Sequence, residues 1–270
     1  MKKQNVKFNL RVLRKLKSVK KQKETTENVI VDKNTEFSTK EAYKTLRTNI
    51  MFSLKNDGKS KAVVVTSAIP SDGKTTTALN IASTFSQIGS KVILIDADLR
   101  KPKIHKYLEV DNNDGVSGIL SGFAKTENTI LKTKFGFDCI TAGKVPPNPS
   151  ELISSPVLAN LIDELKESYD YIFIDSPPAS IVSDALTISA LSDGVLLVVR
   201  SKYTPKSLLN NAINSIKFTN SKIIGIVING VEKSKSAYGV HKGKYYTRRK
   251  YGYSRYNYYN YYAGDHQSNK

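Results

Sequence analysis

The stretch Val63–Ala82, VVVTSAIPSDGKTTTALNIA, decides how the rest of the chain is read. It opens as a run of apolar β-branched residues, the pattern of a strand buried on both faces. A glycine-containing loop follows, and then a segment at helical spacing that starts near Lys74 and ends before Gly89. The loop reads Ala68-x4-Gly73-Lys74-Thr75, a phosphate-binding pattern between a strand and a helix. Backbone N–H groups of such a loop, together with the helix N-terminus, attract phosphate oxygens. Lys74 is placed to reach the β- and γ-phosphates, and the Thr75 hydroxyl to ligate Mg²⁺. Ala68 stands where this pattern usually has glycine, which the backbone tolerates if its φ stays negative. The candidate nucleotide-binding residues are therefore Ala68, Pro70, Ser71, Asp72, Gly73, Lys74, Thr75 and Thr76.

Outward from this loop, strands and helices alternate. Strands are predicted at 62–66, 92–96, 137–141, 171–175, 195–199 and 223–228. Helices are predicted at 38–54, at 74–87, from the PPNPSEL stretch to about Ser168, near 183–191 and over 205–218. The region 101–134 is mixed, with Gly115, Gly118 and Gly122 marking turns. Continuous apolar strands separated by helices predict an α/β fold of the P-loop NTPase-like kind. Its mostly parallel sheet carries helices on both faces. The folded domain is expected over 38–232, after a basic arm and linker (1–37) and before a tyrosine-rich tail (233–270).

Two further strands also end in acids, where ligands bind in open α/β sheets. VILIDADLRKP places Asp96 and Asp98 two apart at a strand end, so that both project into one site. Close carboxylates are costly unless a cation lies between them. Capping of a turn is the plain alternative, and the neighbouring phosphate loop favours the metal reading. YIFIDSPP opens with an apolar strand that ends in Asp175, which matches the Walker B aspartate that holds Mg²⁺ through water. Asn229, just past the last strand, is placed either to contact adenine or to turn the chain before Gly230.

The net charge of +18 sits in the tails. Residues 1–23 carry ten Lys or Arg and no acid, and residues 233–262 carry eight and no acid, so the rest of the chain balances. The pattern is one of interaction tails around a neutral core. The N-terminal arm reads mainly as solvated. An amphipathic helix on anionic lipid and a nucleic-acid arm are its other readings. No apolar run approaches eighteen residues, so no span is expected, and no apolar stretch of a secretory signal follows the first lysines. The single Cys139 excludes an intrachain disulfide framework and fits a reducing compartment. The second tail holds Tyr245, Tyr246, Tyr251, Tyr253, Tyr256, Tyr258, Tyr259, Tyr261 and Tyr262, and within 245–262 no Leu, Ile, Val, Phe or Met is there to pack them. Such a segment is expected to be disordered. A phosphorylation substrate, a stacking surface for single-stranded nucleic acid and a sticky low-complexity end are the three readings.

Together these residues resemble the bacterial tyrosine kinases that regulate polysaccharide synthesis, in the form of cytosolic subunits of Gram-positive capsule and exopolysaccharide systems. The resemblance rests on the A-x-x-P-S-D-G-K-T loop, D-A-D-x-R, I-D-S-P-P, AGKVPPNPSEL and the tyrosine tail. It implies ATP and Mg²⁺ as cofactors, with catalytic roles for Lys74, Asp96 and Asp98. It further implies metal ligation by Thr75, Asp96, Asp98 and Asp175, with Asp96 helping to activate the tyrosine hydroxyl. The nine tail tyrosines become phosphoacceptors. The family's E-x2-R-x2-R helix, which joins subunits into a ring, falls on Glu41, Lys44 and Arg47, with lysine in place of the first arginine. Lysine keeps the charge and loses the planar fork. Implied partners are a separate transmembrane activator of the polysaccharide co-polymerase type, a cognate tyrosine phosphatase and other copies of the chain, an octameric ring being one such assembly. The implied place is cytoplasmic, recruited to the inner face of the membrane. A positioning ATPase of the MinD/ParA kind is the nearest competitor. Its extra lysine in K-G-G-x-G-K-T is absent, because Ile69 and Pro70 occupy the matching positions. A protein binding nucleic acid through its tails is a third reading. The neutral core and the complete nucleotide motif argue against specific nucleic-acid binding.

Overall fold

The structure, a computed structural model, describes residues 29–32 and 34–231. The basic arm, the first part of the linker and all nine tail tyrosines lie outside the described residues. Among the described residues the first element is helix α1 (Phe37–Ser53), followed by β1 (Lys61–Ser67), α2 (Lys74–Ser86) and β2 (Val92–Asp96). Three short helices follow, α3 (Ile104–Leu108), α4 (Val116–Leu120) and α5 (Thr126–Thr129), and then β3 (Leu131–Lys132) and β4 (Asp138–Ile140). The remainder is α6 (Pro149–Ile153), α7 (Pro156–Lys166), β5 (Tyr171–Asp175), α8 (Asp184–Ala190), β6 (Gly194–Arg200), α9 (Lys206–Phe218) and β7 (Ile223–Asn229).

The seven strands form one sheet in the order β3-β4-β2-β5-β1-β6-β7. All pairs are parallel except β3–β4 at the edge. Every residue of β1 and β2 is buried, and the apolar runs Ala62–Val65 and Val92–Ile95 fill their centres. The core divides into two clusters, one for each face of the sheet. Val64, Ile93 and Ile174 belong to the face that packs α7 through Leu158, Leu161 and Ile162. Val63, Val65, Leu94 and Phe173 belong to the face that packs α2 through Leu79 and Phe85. This parallel order brings the carboxyl ends of β2, β5, β1, β6 and β7 to one edge, which fixes where the site lies.

Two features differ from the sequence reading. The helix expected from PPNPSEL to Ser168 is two helices, because Pro156 starts a new one. Proline lacks the N–H that would continue the first helix, and it drives Ser155 to an extended conformation (ψ 150°). The packing also extends N-terminally of Ser38. Ile30 is buried in the α2-side cluster, and Asn80 of α2 holds the backbone on either side of it. Val31 N–H donates to Asn80 Oδ1 (2.6 Å), and Asn80 Nδ2 donates to Val29 O (2.9 Å).

Candidate active site

The loop between β1 and α2 has the shape its residues predict. Ala68 is buried with no positive φ, so its methyl fits where the pattern usually has glycine. The left-handed turns fall instead on Ser71 (φ 70°) and Gly73 (φ 97°). A Cβ on Gly73 would lie 2.3 Å from Asn229 Nδ2, so glycine is required by both conformation and space. Among the described residues no side chain caps the start of α2, which leaves the N–H groups of its first turn for an anion. Pro70 and Ser71 are exposed at the loop tip, and Thr76 is half-buried.

Asp72 and Asn229 both face the loop itself. The Asp72 carboxylate is buried. It accepts Ile69 N–H at 3.1 Å and the Thr204 hydroxyl at 2.7 Å, bracing the loop from within. Asn229 Nδ2 donates to Asp72 O (3.0 Å) and to Thr77 Oγ1 (3.2 Å), so its amide nitrogen grips the loop and α2.

Pairing of β2 with β5 sets Asp96 directly opposite Asp175, and β5 lies next to β1. Three carboxylates and the loop lysine therefore meet at one point. Lys74 Nζ lies 2.9 Å from Asp98 Oδ2 and 3.3 Å from Asp175 Oδ1. Thr75 Oγ1 donates to Asp175 Oδ2 at 2.6 Å. Burial works against the lysine's charge, but Asp175 and Asp98 outweigh it and raise its pKa above the ordinary range. Burial raises the Asp175 pKa, with Lys74 opposing. Burial and the facing Asp175 push the Asp96 carboxyl up to about 7. Asp96 is fully buried. Its oxygens accept the N–H groups of Asp98 (3.2 Å), Lys103 (3.2 Å) and Ile104 (3.1 Å), so it also caps the start of α3. Asp98 likewise accepts Lys101 N–H (3.1 Å) while reaching Lys74. The metal and capping readings of these two aspartates are thus both compatible with their places. The donor set, a hydroxyl beside hard carboxylate oxygens, suits Mg²⁺, which uses one or two carboxylates and completes its shell with phosphate and water. Among the described residues no cluster of three or more His, Cys, Asp or Glu would cage a metal unaided.

Some participants had no sequence reading. Arg100, the last residue of D-A-D-x-R, donates through Nε to the buried Asp184 Oδ2 at 2.8 Å and through Nη2 to Ser150 Oγ at 2.6 Å. Ser150 in turn donates to Asp184 Oδ1 at 2.7 Å. This network ties the acidic motif to the start of α8 and to the PPNPSEL segment. The sequence shows the arginine, but nothing local names its partner, which lies 84 positions away. On α1, Glu41 and Lys44 pair with each other on the surface at 2.7 Å. Arg47 instead turns inward and donates to Thr84 O of α2 at 2.6 Å. Between them, the half-buried Tyr43 lies beside Thr77 and Asn80. Burial raises its phenol pKa, while those two side chains oppose the rise.

Comparison with known proteins fits this geometry. The AAA domain family model matches residues 60–226. Tyrosine-protein kinase YwqD of Bacillus subtilis is 38% identical over 219 residues, covering 80% of this chain and 92% of that one. Tyrosine-protein kinase CpsD of Streptococcus agalactiae is 34% identical over 203 residues, covering 74% of this chain and 87% of its own length. The solved kinase domain of the Escherichia coli tyrosine kinase ETK superposes with a TM-score of 0.71 at 32% identity, covering 80% of this chain and 81% of that one. With the phosphate loop, the lysine–aspartate cluster and the sheet order all in place, this chain belongs to the bacterial tyrosine kinases of the Gram-positive type.

Proposed function

We propose that this chain transfers the γ-phosphoryl group of Mg²⁺-bound ATP to tyrosines of its own segment 245–262, from one subunit to another. We further propose that this modification regulates capsular or exopolysaccharide synthesis and export. The observation that carries the reading is the convergence of Lys74, Thr75, Asp98 and Asp175 beside the uncapped start of α2. Mg²⁺-bound ATP supplies the group transferred and the charge neutralisation that phosphoryl transfer needs. The chain's own residues do the rest. The N–H groups at the start of α2 orient the phosphates, and Lys74 exchanges its carboxylate partners for phosphate oxygens. Thr75 and Asp175, already in contact, hold the metal. Asp96 accepts the phenol proton, which a free tyrosine with pKa near ~10 releases poorly at neutral pH. A carboxyl raised to about 7 suits that work at neutral pH.

On the same reading, Glu41 and Lys44 present α1 to a neighbouring subunit. A separate transmembrane protein recruits the chain to the inner face of the membrane, with the basic arm against anionic lipid, and a tyrosine phosphatase reverses the modification. No described helix is long and apolar enough to cross a membrane, in keeping with a separate anchor. The test is mass spectrometry of the tail after incubation with Mg²⁺-ATP, for the parent and for Lys74→Met, with and without the membrane protein. Phosphotyrosine confined to the parent is expected. Phosphotyrosine in Lys74→Met overturns the assignment.

A further inference from the structure

At the end of the sheet opposite the phosphate loop, where β1 and β5 begin, lies a second concavity of about 680 Å³. Its lining includes the apolar Met51 and Leu54 at the end of α1 and Tyr171. Tyr171 continues into the core through Phe85, whose ring centroid is 4.4 Å away. Its rim is cationic, with Arg47, Lys55 and Lys59. The ammonium groups of Lys55 and Lys59 have no ion pair among the described residues, and both side chains are exposed. Arg47 spends one N–H on Thr84 O, and its fork keeps further donors. A third lysine, Lys61, is neutralised locally by Asp57. The one carboxylate of the lining, Asp170, is engaged by Lys91 N–H at 2.7 Å. Ser60 Oγ is buried in the same wall without a hydrogen-bond partner among the described residues.

Aromatic and thioether groups beside unpaired cations suit an aryl ring that carries a dianionic phosphate. We propose that this groove docks a phosphotyrosine of segment 245–262, from the same chain or from a second copy, and so reads the product of the active site at the other end of the sheet. The proposal rests on the reading of the chain as a kinase of that segment. Reach permits it. The last described residue, Val231, follows β7 at the phosphate-loop end. The fourteen residues from there to Tyr245 span up to about 46 Å, against about 23 Å for a seven-residue strand such as β1. The tail supplies nine tyrosines, so one phosphorylated residue engages while its neighbours raise the local concentration. A tail seated here lies against the end of α1, the helix that carries Glu41 and Lys44.

The test uses the full chain after phosphatase treatment and a synthetic, fluorescein-labelled peptide of residues 249–262 phosphorylated at Tyr253. Because the peptide is made chemically, binding is measured whether or not the chain makes phosphotyrosine itself. Failure here therefore leaves the kinase reading standing, and the mass-spectrometric test above decides that one. Anisotropy at physiological salt is expected to show binding at least ten-fold tighter than for the unphosphorylated peptide, with a ten-fold loss in Lys55→Ala/Lys59→Ala. Lys166→Ala/Lys217→Ala removes the same charge from α7 and α9 and is expected to change nothing. An equal loss in that control, equal binding of the unphosphorylated peptide, or equal competition by inorganic phosphate overturns the proposal.

Discussion

Replacing Lys74 by methionine is the customary way to silence a phosphate-loop enzyme, and in this structure it should also destabilise the protein. The side chain is 12% exposed and stands between carboxylates that are 8% and 1% exposed, at 2.9 and 3.3 Å. Methionine keeps the volume and removes the charge, leaving Asp98 and Asp175 facing each other across a dry gap. Breaking a buried ion pair by deleting one partner costs about 3–5 kcal/mol. At about 2–4 °C per kcal/mol for a domain of this size, Tm in the absence of Mg²⁺ should fall by roughly 10 °C at pH 8. Burial already raises the Asp175 pKa, so its protonation relieves the repulsion and the loss should shrink toward pH 5. Millimolar Mg²⁺, which supplies a substitute cation, should restore part of it. Differential scanning fluorimetry of parent and variant, with EDTA or Mg²⁺ at both pH values, reads all three effects. A Tm within about 2 °C of the parent at pH 8 in EDTA would refute the reasoning, because the carboxylates would then not depend on Lys74.

Three other outcomes are expected. Asp96 titrates at about 7 when folded against 3.8 when unfolded, so the stabilising proton is fully present below about pH 4 and is lost as pH rises toward 7. Thermal stability of the Mg²⁺-free protein should therefore decline between pH 5 and 8, and the slope should flatten in Asp96→Asn, as fluorimetry across that range would show. Gly73→Ala meets both a φ of 97° and Asn229 Nδ2 at 2.3 Å. About 2–4 kcal/mol of loop strain is expected, seen as a loss of at least thirty-fold in binding of a fluorescent ATP analogue. Arg100→Ala strands the buried Asp184, but the arginine is itself 36% exposed, so about 1–2 kcal/mol is expected in urea unfolding, with Ser150→Ala costing less.

The sequence made the phosphate loop, the buried strands around it and the strand-end acids legible because each is local. A strand's burial shows in five consecutive residues, and its end shows in the aspartate that follows. Asp96, Asp98, Asp175, Lys74 and Thr75 were all readable in this way, and the sheet brings them to one edge. What stayed hidden depends on contacts across long stretches of chain. Asn229 meets Asp72 over 157 positions and Arg100 meets Asp184 over 84, and no periodicity announces either. The direction of a side chain was equally illegible. Asp72 sits inside the loop motif, yet its carboxylate faces Thr204 and Ile69 rather than the phosphate side, which would repel it. The break before Pro156 was available from local rules, but the strong helical spacing on either side obscured it.

The strap formed by Val29, Ile30 and Val31 has a kinetic consequence. It closes onto Asn80 across 49 residues of chain, by two hydrogen bonds and the buried Ile30 and Val31. Closing a loop of that length carries an entropic cost that a longer-range strand pair would share among many bonds, whereas here few contacts bear it. The strap should dock late in folding and open early, exchanging the Val31 amide hydrogen faster than those of β1 or β2. Its anchor lies on the helix whose first turn addresses the phosphates. Tension on the basic arm ahead of it would therefore be felt first at α2, as a local opening well below the threshold for unfolding the sheet.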